Sequence, residues 1–114
     1  MKLLEILQII AAIATILTGL ISLIRPLAVQ GFTGLRADGQ RGVTEIRAVL
    51  GGFFIALGLA PLVLAQPAAY KMLGIAYVGV GAVRAVSIVV DRSYEQSNLI
   101  SLVVELVFGI ILVL

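Results

Sequence analysis

No cysteine, histidine or tryptophan occurs in this 114-residue chain, and charged residues make up only 12% of it. Without cysteine there are no disulfides, no thiol redox chemistry and no thiolate metal sites. Without histidine the usual haem and zinc ligand is missing, as is the usual near-neutral proton carrier. Nucleophilic triads and zinc hydrolysis are therefore not expected, and neither is a metal or a cofactor. Any proton chemistry would fall to carboxylates, tyrosine or lysine. The formal net charge is +2, from eight Lys+Arg against six Asp+Glu, which is too small to imply a nucleic-acid partner.

What the chain has instead is apolar surface. Hydrophobic residues make up 61% and the mean hydropathy is +1.20, against about 45–50% apolar and about 25% charged in a soluble domain. A water-soluble core of this size could not hide so much, so a lipid bilayer is the expected partner. Four runs have the length to cross it: residues 3–24, 43–65, 68–90 and 97–114. Each is near the ~20 residues that cover ~30 Å of hydrocarbon. Glu5 and the length of the first run argue for a retained helix rather than a signal peptide. The expectation is a single all-α domain over 1–114, an integral membrane four-helix bundle with up-down topology and both termini on one side.

Gln66-Pro67 barely separates the second and third runs, so these form an antiparallel hairpin. The stretch 91–96, DRSYEQ, turns the third into the fourth. The connection over 25–42 carries Leu27, Val29, Phe32 and Leu35. It either lies on the bilayer surface, folds over the bundle as a lid, or remains a loose loop. Arg25, Arg36, Arg41, Arg47 and Arg92 gather on the side of these two connections, against Lys2 and Lys71 on the other. By the positive-inside rule the connections face the cytoplasm and both termini lie outside it. The expected location is thus a bacterial inner membrane, as a multi-pass protein.

In lipid, helices associate where small residues let backbones approach. The second run offers Ala48, Gly52, Ala56 and Ala60 at spacing four, widened by Gly51 and Gly58, and the third offers Gly74, Gly79, Gly81, Ala82 and Ala85.

Charges inside the spans form a second pattern. At ~1.5 Å rise per residue, Glu45 and Arg47 lie roughly 3 and 6 Å below the loop-side face, Arg84 roughly 9 Å and Glu105 roughly 9–12 Å. Two acids and two bases from three helices thus occupy one half of the membrane. Arg41 and Glu45, at i,i+4, can pair locally. Arg47 and Arg84 then need partners on other helices. Glu105 is the deepest acid, and Asp91 lies two turns from Arg84 on the same face. Thr15, Thr18 and Ser22 share a face of the first helix, Ser101 sits one turn from Glu105, and Tyr70, Tyr77, Arg84 and Asp91 recur at sevens. Together these suggest a polar cavity open to the cytoplasmic side and floored by Tyr77. The alternative is that paired charges only fix helix register and that Glu45 and Arg47 snorkel at the interface.

The stretch EIRAVLGG, followed by Arg84, by Asp91-Arg92 and finally by Glu105, resembles the bacterial four-helix membrane family catalogued as domain of unknown function 4345. The positions carrying the resemblance are Glu45, Arg47, Gly51, Gly52, Arg84, Asp91 and Glu105. It implies a four-helix bundle and brings no substrate or reaction with it. Three functional readings stay open. The first is a module that binds or moves a small amphipathic ligand, ion or proton at Glu45, Arg47, Arg84 and Glu105. The second is an accessory or assembly subunit that joins a larger membrane partner or a second copy through its small-residue faces. The third is a membrane enzyme on a lipid-soluble substrate, with Glu105 or Glu45 as acid/base.

Overall fold

In a computed structural model that describes residues 2–114, helix follows helix: α1 (Leu3–Ile24), a short α2 (Ala28–Thr33), α3 (Gln40–Leu64), α4 (Pro67–Asp91) and α5 (Gln96–Val113). The four long ones are long and apolar enough to cross a membrane. Their ends are set by local chemistry. Pro67 opens α4 at its first turn, where a missing N–H costs nothing. Ala65 (φ 52°) and Arg92 (φ 53°) close α3 and α4 in the left-handed conformation, their N–H groups bonded back to the carbonyls of Pro61 and Ile88. Within the long connection, Gly34 and Gly39 supply positive φ on either side of an irregular stretch, so the chain can turn from α2 into α3.

Residues Ile46–Phe53 of α3, IRAVLGGF, form a π-helical segment. Its i→i+5 hydrogen bonds make each turn wider than 3.6 residues, and the buried positions follow: Ile46 and Gly51, five apart, then Gly58 and Pro61 in the α-helical remainder. This overturns the expected ridge at spacing four. Ala48 and Gly52 point outward, and Ala56 is exposed beside a shallow apolar groove. A Cβ on Gly52 would meet nothing closer than the Arg47 carbonyl at 3.9 Å.

The α1–α3 seam runs instead through Gly19 of α1 and through Gly51 and Gly58, the two glycines that the sequence places beside that ridge. A Cβ on Gly19 would fall 2.7 Å from the Gly51 carbonyl oxygen, and one on Gly58 would fall 2.6 Å from that of Ala12. The α4–α5 seam has the same character: a Cβ on Gly74 would stand 2.7 Å from Leu112 Cβ, and one on Gly109 2.6 Å from Val78 Cγ2. Backbone contact of this kind is how helices bind each other when lipid removes the hydrophobic drive.

Two tight pairs thus result, α1 with α3 and α4 with α5, and α1 joins them by lying against α5. Gln8 Nε2 donates to the Ile111 carbonyl at 3.0 Å, which sets the first turns of α1 beside the last turns of α5. Thr15 Oγ1 and Tyr77 Oη, 2.5 Å apart, tie α1 to α4. Ala11, Ala12, Leu73 and Leu112 fill the middle, with Tyr77 and Phe108 packed edge to face beside them. Pairing two pairs side by side makes a flattened body, 44 × 30 × 17 Å. Its exterior carries Leu3, Ile24, Val63, Met72 and Val90, all largely exposed. A surface of that kind is suited to acyl chains and not to water.

α3 and α4 do not run side by side throughout. The Phe54–Leu64 half of α3 packs on α4 next to their shared turn, whereas the Ile46–Phe53 half has little contact with it. The two helices part toward the loop end, and that divergence opens a cleft between them.

Candidate functional site

Between the diverging helices lies a cleft of about 970 Å³. α4 contributes Gly79, Val80, Val83, Arg84 and Ser87, and the start of α5 contributes Ser97, Asn98 and Ser101. Leu50 of α3 forms the far wall, and residues 31–35, the end of α2 and the chain beyond it, cover the mouth.

Arg84 is the chemical centre of this wall. Its Nε donates to Glu105 Oε1 at 2.7 Å and its Nη2 to Glu105 Oε2 at 2.8 Å, a bidentate pair between α4 and α5. Nη1 donates to Asn98 Oδ1 at 2.9 Å. Asn98 in turn donates through Nδ2 to the Ser93 carbonyl and hydroxyl at 3.0 and 3.1 Å, so the turn between the helices is locked to the guanidinium. Gly81 makes the pairing reachable: one turn from Arg84, it lets Leu106 approach to where a Cβ would meet its Cδ2 at 3.0 Å.

The Glu105 side chain is 11% exposed and that of Arg84 33%. Glu105 does not line the cleft; Arg84 stands between them. Two charges that would each be costly alone in hydrocarbon thus become a neutral unit with directional bonds. Of five guanidinium N–H groups, three are engaged by protein acceptors. No buried side-chain polar atom lacks a partner, and no metal-binding cluster of acids occurs, among the described residues.

The profile of the family described as Domain of unknown function (DUF4345) matches residues 3–114. The chain belongs to this family. Neither the comparison with curated proteins nor that with solved structures returned a match. The family's description carries no reaction, so chemistry has to be read from the site itself.

Not every residue the sequence singles out lies here. Arg84 and Ser101 line the cleft, and Glu105 pairs with Arg84 behind its wall. Glu45 and Arg47 do not: Glu45 pairs with Arg41 at 3.1 Å on an exposed flank, and Arg47 is exposed without an ion pair among the described residues. The wide turn is the reason, because it directs Ile46 inward and leaves its two neighbours outside. Asp91 ends α4 in the open. Thr18 is exposed and returns its hydroxyl to the Ala14 carbonyl at 2.9 Å. Ser22 is buried, bonded to the Thr18 carbonyl at 3.1 Å, and belongs to the α1 interior. Tyr77 does not floor the cleft; its hydroxyl is held by Thr15, and Gly79 and Val80 occupy the deep end.

Asn98, Ser87, Ser93 and Ser97 are site residues the sequence reading passed over. The signal for Asn98 was available: Asn98, Ser101 and Glu105 stand at i, i+3 and i+7, one polar face of α5.

Proposed function

We propose that this is a polytopic membrane protein whose cleft between α3 and α4 takes up a small amphipathic molecule from the bilayer. The observation that carries the reading is the cleft itself. Its volume of about 970 Å³ is at the upper end of ligand pockets, about 300–1,000 Å³, and its mix of apolar walls with a few placed polar groups is the usual composition. Arg84, Ser101 and Asn98 would hold the polar part. The Arg84–Glu105 pair would keep a hydrogen-bonding face available at a depth where an isolated ion is unfavourable.

Orientation belongs to the same proposal. The arginine-rich connections would face the cytoplasm, with the hairpin turn at Gln66 and both chain ends opposite. A cysteine-free chain suits the test: single cysteines at Ser93 and Gln66 should be labelled by a membrane-impermeant maleimide from opposite sides.

The cleft reading is tested at Gly79. This residue lines the cleft, and a Cβ there would meet nothing within 4 Å, so Gly79→Leu fills the space without pressing on a helix seam. Lipid-like molecules that co-purify with the wild type should be lost from Gly79→Leu, at unchanged thermal stability. Equal retention by both proteins would refute the reading. A second reading, association with a partner or another copy, is favoured by one observation: Ala48, Gly52 and Ala56 stay exposed on α3.

A further inference from the structure

The cleft's polarity changes with depth. Ser93, Glu95 and Ser97 stand at its loop end; Asn98, Ser101 and Ser87 follow along the helices, with Asn98 bonded to Arg84; Gly79 and Val80 lie farthest from the loops. An amphiphile would therefore sit with its head near the membrane surface and its chain along Val80, Val83 and Leu50.

The charge pattern selects the kind of head. Only two charged residues line the cleft, Arg84 and Glu95. The guanidinium is already neutralised by Glu105 behind it, through both carboxylate oxygens, while Glu95 carries no salt bridge among the described residues. No uncompensated positive charge therefore lies among the lining residues; Arg36 and Arg92, chain neighbours of Leu35 and Ser93, are exposed and do not line the cleft. An anionic head would meet an acid at the mouth and a spent cation within, after losing its own hydration, which is a large cost in a low-dielectric site. The groups that do remain are serine hydroxyls, each able to donate and accept, and the N–H groups that Arg84 leaves without a protein acceptor. These match hydroxyl and carbonyl oxygens.

Resting on the cleft reading above, we infer that the ligand is an amphiphile with an uncharged, hydroxyl- or carbonyl-bearing head and a single apolar chain, selected against anionic lipids with the same chain. The serines give the selectivity and Glu95 reinforces it.

The test compares three probes with one oleoyl chain: monooleoylglycerol, oleate and oleoyl-lysophosphatidate. Each is titrated onto the full chain in neutral-detergent micelles, with bound stoichiometry read by native mass spectrometry. Monooleoylglycerol should bind at least about tenfold more tightly than either anion. The double variant Ser87→Ala, Ser101→Ala should lose about tenfold of that affinity, as expected for one to two hydrogen bonds, while Gly52→Ala retains it. Gly79→Leu should abolish it. Anions binding as well as or better than monooleoylglycerol, with loss in Gly79→Leu, would overturn the head-group inference and leave the cleft reading standing. Binding of all three undiminished in Gly79→Leu would overturn both, as would binding of none.

Discussion

Removing the guanidinium from Arg84 while leaving its carboxylate partner is the perturbation that tests most of the structure at once. Arg84→Met keeps an apolar stem of similar length but strands Glu105, whose side chain is 11% exposed, and leaves Asn98 Oδ1 without its donor. Breaking a buried pair from one side costs about 3–5 kcal/mol. Because Arg84 is itself one-third exposed, the lower end applies, about 3 kcal/mol. Glu105→Gln leaves a cation on a long flexible stem that can reach toward the interface, for about 1.5 kcal/mol. The double variant Arg84→Met, Glu105→Gln has no stranded charge and should also lose only about 1.5 kcal/mol. The double variant would thus be more stable than Arg84→Met alone, with a coupling of about 3 kcal/mol. Reversible unfolding in mixed micelles, followed by helical circular dichroism, measures all four proteins. Losses that add to within about 0.5 kcal/mol would show that the two side chains do not act as a unit and would refute the reasoning.

The seams make further predictions. Gly58→Ala drives a methyl to within 2.6 Å of the Ala12 carbonyl oxygen and should cost about 1–3 kcal/mol, whereas Gly52→Ala, with open space around it, should change stability by less than about 0.5 kcal/mol; thermal melts in detergent compare them. Ala65→Gly relieves a left-handed residue at the end of α3 (φ 52°) and should stabilise by about 0.5–1 kcal/mol. Tyr77→Phe removes the hydroxyl bonded to Thr15 while keeping the ring on Phe108, so a loss of about 1 kcal/mol is expected, with ligand retention unchanged because Tyr77 does not line the cleft.

The sequence made the helices legible because hydrophobic runs of membrane-spanning length have few other interpretations. The second helix nevertheless begins at Gln40 rather than near 43, since its first turn, QRGVTE, is polar and carries no hydropathy signal. The meeting of Arg84 with Glu105 could be reasoned from depth alone: two costly charges at one level have a strong incentive to find each other. Depth says nothing about rotation around the helix axis, and that is where the sequence reading went astray. The stretch Ile46–Phe53 follows a period that a 3.6-residue pattern does not contain, so Arg47, Gly52 and Ala48 were assigned to the wrong side. Asn98 was missed for a different reason: an amide is silent in a search restricted to charges.

The wide turn has a consequence for how the mouth of the cleft is held in place. An α-helix advances about 100° per residue, so deleting any one residue from IRAVLGGF would spin everything upstream by about that angle. Arg41 and Glu45 would swing out of solvent, and the strand of chain leading back to Phe32 would be dragged sideways off the opening it spans. The extra residue in that turn therefore acts as a rotational setting for the cover, from a segment whose own contribution to the cleft is Leu50.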